Sequence, residues 1–283
     1  MMKTGVFGLG LIGSIWARHL QADGLLAGGW NRTPQPDFPG WCPDPVDLVR
    51  RSEVLILVVS DPPAVSEVLE RILPALTTRH TVMQCSTIDP ASSKNFRNRV
   101  AATGAGYLEA PFSGSKPGAE ARQTVFYLGG NPAVIERIQP MLDRLSQQQH
   151  LVGTSPQAAA FKLASNLAIA SQVASVCESL TLSREQGLSD DTFFDLLKKN
   201  MAWSGAIQIK QPKWTAGEFS PQFAVRHMLK DLRLARDSGA ISFPVCEAVI
   251  RQLEAAVERG WQDHDFSILL RLLGPGGISS EPS

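Results

Sequence analysis

Short apolar runs alternate with stretches of helical spacing through the first half of the chain. The runs Thr4–Phe7, Leu25–Trp30, Val54–Val58, Thr81–Cys85 and Gly106–Glu109 predict strands. Each of the first four is followed by a segment that reads as a helix or as a turn plus a helix. Such alternation signals βαβ units and a mostly parallel sheet with helices on both faces. Pro62-Pro63 and Asp89-Pro90 suit helix starts, because proline tolerates the first helical turn. Two further strands, Thr124–Leu128 and His150–Val152, bracket a helix over Pro132–Leu145.

The character changes at Ser155-Pro156, a good N-cap followed by a good first helical residue. A helix is expected from Pro156 to about Gln186, stopped by Gly187, which makes it about 45 Å long. Ser189, Phe223, Pro244 and Asp265 mark the starts of later helices. The expected division is an α/β domain over 1–154 and an all-helical domain over 155–283, and 283 residues is a length at which two cores are the natural expectation.

Composition narrows the function classes. Lys plus Arg and Asp plus Glu balance at 27 each, so the basic excess of a nucleic-acid binder is missing, although a balanced chain leaves room for a local patch. Cys42, Cys85, Cys177 and Cys246 show no C-x-x-C spacing and no accompanying His cluster, which reads as packed thiols in a cytoplasmic protein with no metal site. No signal segment is read at the start, and the uncharged run Leu163 to Cys177 is too short to span a membrane. Only Gly274 to Ser283, rich in Gly, Pro and Ser, reads as disordered.

Gly8-Leu9-Gly10-Leu11-Ile12-Gly13 is a G-x-G-x-x-G between a strand and a helical pattern. The first glycine permits a tight turn, the second lets backbone approach a pyrophosphate, and the third lets helix pack on strand. In that context Gly8, Gly10, Leu11, Ile12 and Gly13 are read as a dinucleotide-binding loop of a Rossmann-type domain, against the plainer reading of an ordinary turn. An Asp or Glu after the second strand would bind a ribose 2′-hydroxyl. Here Asn31, Arg32 and Thr33 occupy that place. A neutral Asn does not repel a 2′-phosphate, and Arg can pair with it, so NADPH is expected; the plainer reading is a solvated Arg before Pro34.

Lys162 is the only Asp, Glu, Lys or Arg between Arg144 and Glu178. A helix so poor in charge is expected to be buried along much of its length. Asn166 lies one turn on, so the two side chains can donate to one oxygen, as a carbonyl receiving hydride requires. A Lys snorkelling to the surface explains the spacing equally well.

At these residues the chain resembles the β-hydroxyacid dehydrogenases, the family of 3-hydroxyisobutyrate dehydrogenases and glyoxylate/succinic semialdehyde reductases. The resemblance covers about residues 3 to 273. Its motifs are Gly8–Gly13, Ser86-Thr87-Ile88-Asp89, Glu109-Ala110-Pro111-Phe112-Ser113-Gly114-Ser115-Lys116, Lys162-Leu163-Ala164-Ser165-Asn166 and Lys230-Asp231-Leu232, in the family's order. Ser60-Asp61-Pro62-Pro63-Ala64 and Ser113-Gly114-Ser115-Lys116 look closest to the glyoxylate/succinic semialdehyde reductase branch. The resemblance implies that Lys162 is catalytic with Asn166 beside it, and that Ser113 and Gly114 hold a substrate carboxylate. It implies that Thr87 lies between nicotinamide and substrate, that Phe223 and Asp231 cover the site from the helical domain, and that Ser60 and Lys230 contact cofactor. Asp231 has a plainer alternative as a helix-surface partner of a neighbouring Arg. Arg122 stands where the family commonly has Gly, either solvated or reaching towards the site.

The expectation is therefore an NADPH-dependent reductase of a small aldehyde-acid, with its site in the crevice between the two domains and a homodimer or homotetramer as the assembly. A 3-hydroxyisobutyrate-type dehydrogenase is the nearest alternative. An imine reductase typically lacks the Lys at this place, and a non-catalytic dinucleotide-binding interaction protein would not need Lys162 or Ser113. His19, His80 and His264 show no partner pattern, and Trp203 and Trp214 read as packing residues.

Overall fold

The computed structural model describes residues 2–274, so the stretch expected to be disordered lies outside the described residues except for Gly274. The chain forms two compact units, Met1–Leu163 and Ala164–Ser283.

The first unit begins β1 (Thr4–Phe7), α1 (Leu11–Ala22), β2 (Leu26–Trp30), α2 (Pro45–Arg51), β3 (Val54–Leu57), α3 (Pro62–Ile72), β4 (Thr81–Gln84), α4 (Pro90–Ala101) and β5 (Gly106–Glu109). It continues with β6 (Phe112–Ser113), α5 (Ser115–Glu120), β7 (Thr124–Gly130), α6 (Pro132–Leu145), β8 (Ser146–Gly153) and the start of α7 (Ser155–Glu185). The sheet order is β2-β1-β3-β4-β5-β7-β6, with β8 also paired to β7. Strands β1 to β5 are parallel, and β7 runs antiparallel to β5 and β6. This is a Rossmann-type α/β unit.

Both faces of the sheet are covered, so its central strands are largely apolar. Val54 and Ile56 of β3 enter the core with Trp16, Leu20 and Phe126, while Leu55 and Leu57 enter the opposite core with Leu48, Leu69 and Val82. Asp61 and Asp89 cap α3 and α4 by accepting from Ala64 N and Ser92 N, each with a proline in the first turn. The short elements β6 and α5 were not expected. They are 2 and 6 residues long, too short for periodicity to mark them. Strand β8 is longer than expected because its polar residues Ser146 to Gln149 pair with β7.

The second unit is helical: the remainder of α7, then α8 (Asp190–Leu197), α9 (Gly205–Ala216), α10 (Val225–Ser238), α11 (Pro244–Glu258) and a 3₁₀ segment over Phe266–Leu273. Val173, Leu180, Phe194, Trp214, Met228 and Leu253 are among its buried core. Helix α9 escaped the apolar pattern because it buries Lys210 and Lys213 beside Ile207 and Trp214. The helix expected from Phe223 starts at Val225. Phe223 and Ala224 stay outside the helix because Gln222 N and Phe223 N donate to Asp265 Oδ2 and Phe266 N donates to Phe223 O. Burial of α7 is partial: Lys162, Leu163 and Asn166 are buried, but Ala160, Phe161, Ala164 and Ala168 are exposed, which corrects the expectation of a helix buried along much of its length. Among the described residues, no helix is long and apolar enough to cross a membrane, and all four cysteines are buried and free.

Arg122 is held by partners and is not left free in solvent. It adopts φ 57°, the left-handed region in which Gly is unstrained. Its guanidinium forks onto Asp23 at 2.6 and 3.2 Å and donates to Arg144 O at 2.8 Å. That hydrogen bond, with the charge, holds the Asp23 carboxyl below its usual range. The pair ties the turn after α5 to the end of α1. Arg122→Ala loses the pair and keeps the strain, whereas Arg122→Gly loses the pair and relieves it. Chemical denaturation is expected to show the Gly variant more stable than the Ala variant by about 0.5–1 kcal/mol.

Candidate active site

The turn between β1 and α1 is built by what glycine lacks. Gly8 has φ +106°, and a Cβ there would lie 2.2 Å from Val58 O; a Cβ on Gly13 would lie 1.9 Å from Gly8 O. Gly10 is the opposite case, since a Cβ there would meet nothing within 4 Å. Gly10 is also the N-cap of α1, with no capping side chain and no acidic residue in the first turn. The first helical N–H groups and the positive end of the helix dipole are thus left open beside unfilled space, which fits the pyrophosphate of a dinucleotide. Leu11 is exposed and Ile12 half-buried at the same helix start.

At the end of β2, Asn31 latches this turn. Its Oδ1 accepts from Leu9 N at 3.1 Å and its Nδ2 donates to Thr33 O at 2.9 Å. Arg32 is 71% exposed but carries a partner, Glu67 of α3, at 3.2 Å. Glu67 also pairs with Arg71 at 3.1 Å, so any anion taken by Arg32 competes with a carboxylate that the sequence reading had not singled out.

The segments after β3 and β4 are joined. Val59 N donates to Ser86 Oγ at 2.8 Å. Buried Gln84 grips Ser86 from both sides, accepting from Ser86 N at 2.6 Å and donating to Ser86 O at 2.8 Å. Gln84 Nε2 also donates to Glu109 Oε1 at 2.7 Å, and Ser93 Oγ and Tyr107 OH donate to Glu109 Oε2 at 2.6 and 2.8 Å. Burial pushes the Glu109 carboxyl up to about 7 against the lowering effect of those three donors, with Asp89 adding to the rise. Thr87 is half-buried on this segment, and Ser60 is exposed, donating to Asp61 at 2.8 Å. Beyond Pro111, Ser113 Oγ accepts from Tyr127 OH at 3.3 Å, and Gly114 turns the chain at φ +132° into α5.

On α7, Lys162 is buried, 9% exposed, with Asn166, 1% exposed, one turn on. In the second unit Asn166 Nδ2 donates to Asp231 Oδ2 at 2.7 Å. A carboxylate only accepts, so this bond fixes which end of the amide faces Asp231. Asp231 is 2% exposed, and its Oδ1 has the Lys230 ammonium at 2.8 Å but no aligned hydrogen-bond donor. The alternative of a helix-surface pair with an Arg is overturned, because Asp231 faces the interior. Phe223, half-buried, meets Phe266 edge-on at 5.9 Å between ring centres. Its backbone is held by Asp265, a residue the sequence marked only as a helix start. Asp265 also receives Lys210 at 2.8 Å and both Ser267 N and Ser267 Oγ. Burial works to raise the Asp265 carboxyl, but Lys210 and these donors outweigh it and hold the group below its usual range.

With this geometry in view, comparison with known proteins assigns the class. Residues 3–153 match the family model described as the NAD binding domain of 6-phosphogluconate dehydrogenase. Residues 157–273 match that described as the NAD-binding of NADP-dependent 3-hydroxyisobutyrate dehydrogenase. The chain belongs to the 3-hydroxyisobutyrate dehydrogenase-like, or β-hydroxyacid dehydrogenase, family. It is 28% identical to glyoxylate/succinic semialdehyde reductase 1 of Arabidopsis thaliana over 95% of this chain and 97% of that one. It is 27% identical to 2-hydroxy-3-oxopropionate reductase of Escherichia coli over 96% of this chain and 97% of the relative. The fold superposes on 3-hydroxyisobutyrate dehydrogenase of Mycobacterium tuberculosis with a TM-score of 0.89 at 23% identity, covering 97% of this chain and all of that one. A nicotinamide dinucleotide is accordingly its cofactor class and a small molecule its substrate class.

The Glu109 carboxyl gives the fold a pH signature. Its folded pKa, about 7, exceeds the ordinary value of 4.5, so between those limits the folded chain binds more protons than the unfolded one. Stability contributed by this group is present at the acid end and is lost as pH rises through about 7. Denaturant titrations from pH 5 to pH 8 should show wild type losing roughly 1–3 kcal/mol that Glu109→Gln does not lose.

Proposed function

We propose that the protein reduces a small aldehyde-acid of the glyoxylate or succinic semialdehyde type to the hydroxyacid, with NADPH as donor. The observation that carries the reading is Lys162, a buried ammonium on α7 with Asn166 one turn on and the Asn166 amide locked by Asp231. Gly8, Gly10, Leu11, Ile12, Gly13, Asn31, Ser60, Thr87 and Lys230 would hold the dinucleotide, which supplies hydride when bound. Lys162 donates a hydrogen bond to the aldehyde oxygen and gives it a proton as charge develops there. The N–H of Asn166 not engaged by Asp231 is a second donor for that oxygen. Ser113 and the Gly114 backbone hold the carboxylate and so orient the aldehyde carbon. Phe223 and Asp231 complete the substrate contacts. On this reading 1–154 is the dinucleotide-binding domain and 155–283 the substrate and dimerisation domain of a cytoplasmic homodimer or homotetramer.

Two relatives bear names that favour this substrate class: glyoxylate/succinic semialdehyde reductase and 2-hydroxy-3-oxopropionate reductase. The direct test is steady-state kinetics with glyoxylate, succinic semialdehyde and a cyclic imine in parallel. Lys162→Ala should lower kcat for the aldehyde-acids by about 10² or more while NADPH binding by fluorescence titration survives. Lys162→Arg separates the roles, because Arg keeps the charge but does not readily release a proton. A Lys162→Ala enzyme with near-normal kcat would sink the reading.

Cofactor choice rests on Arg32 and Thr33 against Glu67. Arg32→Ala should raise KM for NADPH about tenfold and leave KM for NADH nearly unchanged. Glu67→Gln releases Arg32 and should lower KM for NADPH by about two- to fivefold. Equal effects on the two cofactors in either variant would show that this segment does not read the 2′-phosphate.

A further inference from the structure

We propose that Glu109, acting through Gln84 and Ser86, is a positioning residue that sets the segments after β3 and β4 for the nicotinamide half of the dinucleotide. This rests on the dinucleotide reading of the Gly8–Gly13 turn.

The chain of contacts is continuous and buried. Glu109, Gln84 and Ser93 are fully buried, and Ser86 is 3% exposed. Glu109 Oε1 and Ser86 O both accept from Gln84 Nε2, and so hold the Gln84 amide with its oxygen on Ser86 N. Ser86 in turn presents Oγ to Val59 N, across from β4 to β3. One carboxylate therefore anchors the network that joins two adjacent strand ends. Thr87 follows Ser86, and Ser60 follows Val59.

Sheet order says which part of the cofactor feels this. Strand β2, followed by Asn31 and Arg32, lies on one side of β1, and β3 and β4 lie on the other. In a doubly wound sheet the adenosine ribose is read after the second strand, and the dinucleotide crosses the strand ends at the central switch point. The adenosine half then belongs to the β2 side, and the nicotinamide half to the strand ends that Gln84 and Ser86 hold.

A conservative replacement can preserve the network. Gln at 109 can offer its oxygen to Gln84 Nε2 and its amide N–H groups to the Ser93 and Tyr107 hydroxyls, which accept as well as donate. Leu at 109 removes the carboxylate acceptor of Gln84 Nε2 and leaves the amide held by the Ser86 backbone alone. The experiment compares full-length wild type, Glu109→Leu, Glu109→Gln and Ser86→Ala, measuring Kd for NADPH and for 2′,5′-ADP, with NADH and AMP in parallel. Glu109→Leu should raise Kd for the whole dinucleotide about tenfold or more, the scale of one or two lost hydrogen bonds. Kd for the adenine-end fragment should stay within about threefold, and Glu109→Gln should restore the dinucleotide to near wild type. Ser86→Ala breaks only the last link, so it keeps the test alive if Glu109→Leu fails to fold. It should weaken the dinucleotide and spare the fragment. Equal weakening of both probes, or Ser86→Ala with unchanged binding of both, would overturn the inference. Wild type that binds no dinucleotide at all would overturn the underlying reading together with it, whereas normal wild-type binding with unaffected variants would remove this inference alone.

Discussion

The contact between the Gly8 turn and the carbonyl of Val58 leaves no room for a Cβ, and much of the first unit's geometry depends on it. Gly13 seals the same turn against Gly8 O, so the start of α1 packs closely on the ends of β1 and β3. That close packing leaves Gly10 facing open space with uncapped helical N–H groups behind it. The neighbouring strand ends are then tied in by side chains that accept from backbone: Asn31 from Leu9 N, and Ser86 from Val59 N. Loops at strand ends cannot use the sheet ladder, so side chains supply the missing acceptors.

The helical unit solves a similar problem with buried carboxylates. Asp265 gathers Lys210, two backbone N–H groups from Gln222 and Phe223, and both donors of Ser267. Removing a single partner from such a cluster is costly, because the remaining charge stays buried. Asp231 is less fully satisfied: one oxygen takes Asn166, and the other has only an ammonium out of line. A carboxylate with spare capacity beside an amide it orients is what a polar site in a folded interior looks like, whereas the saturation of Asp265 marks a structural joint.

Much of the architecture could be read directly. The five parallel strands announce themselves because burial on both faces favours apolar runs, and the helix starts at Pro62, Asp89-Pro90 and Ser189 stand where the sequence put them. What escaped did so for definable causes. Strand β6 and helix α5 are too brief for any period, and α9 hides its apolar face behind Lys210 and Lys213. Charge-poverty in α7 suggested deeper burial than exists, because alanine is cheap on a surface as well as in a core.

Of the candidate site, the chain itself specified the residue types and their local spacing: the glycines of a turn, a Lys and an Asn four apart, and a Ser-Gly after a strand. These are legible because they act over one turn or one loop. Partnership was settled only by folding. That Arg122 belongs to Asp23, that Arg32 is contested by Glu67, that Asp231 orients Asn166, and that Glu109 holds Gln84 are contacts between residues 25 to 99 positions apart. Local periodicity carries no information about which distant carboxylate meets which donor; that choice is made when the helices and strands are packed, because a buried charge or polar group left unpaired is too costly to keep.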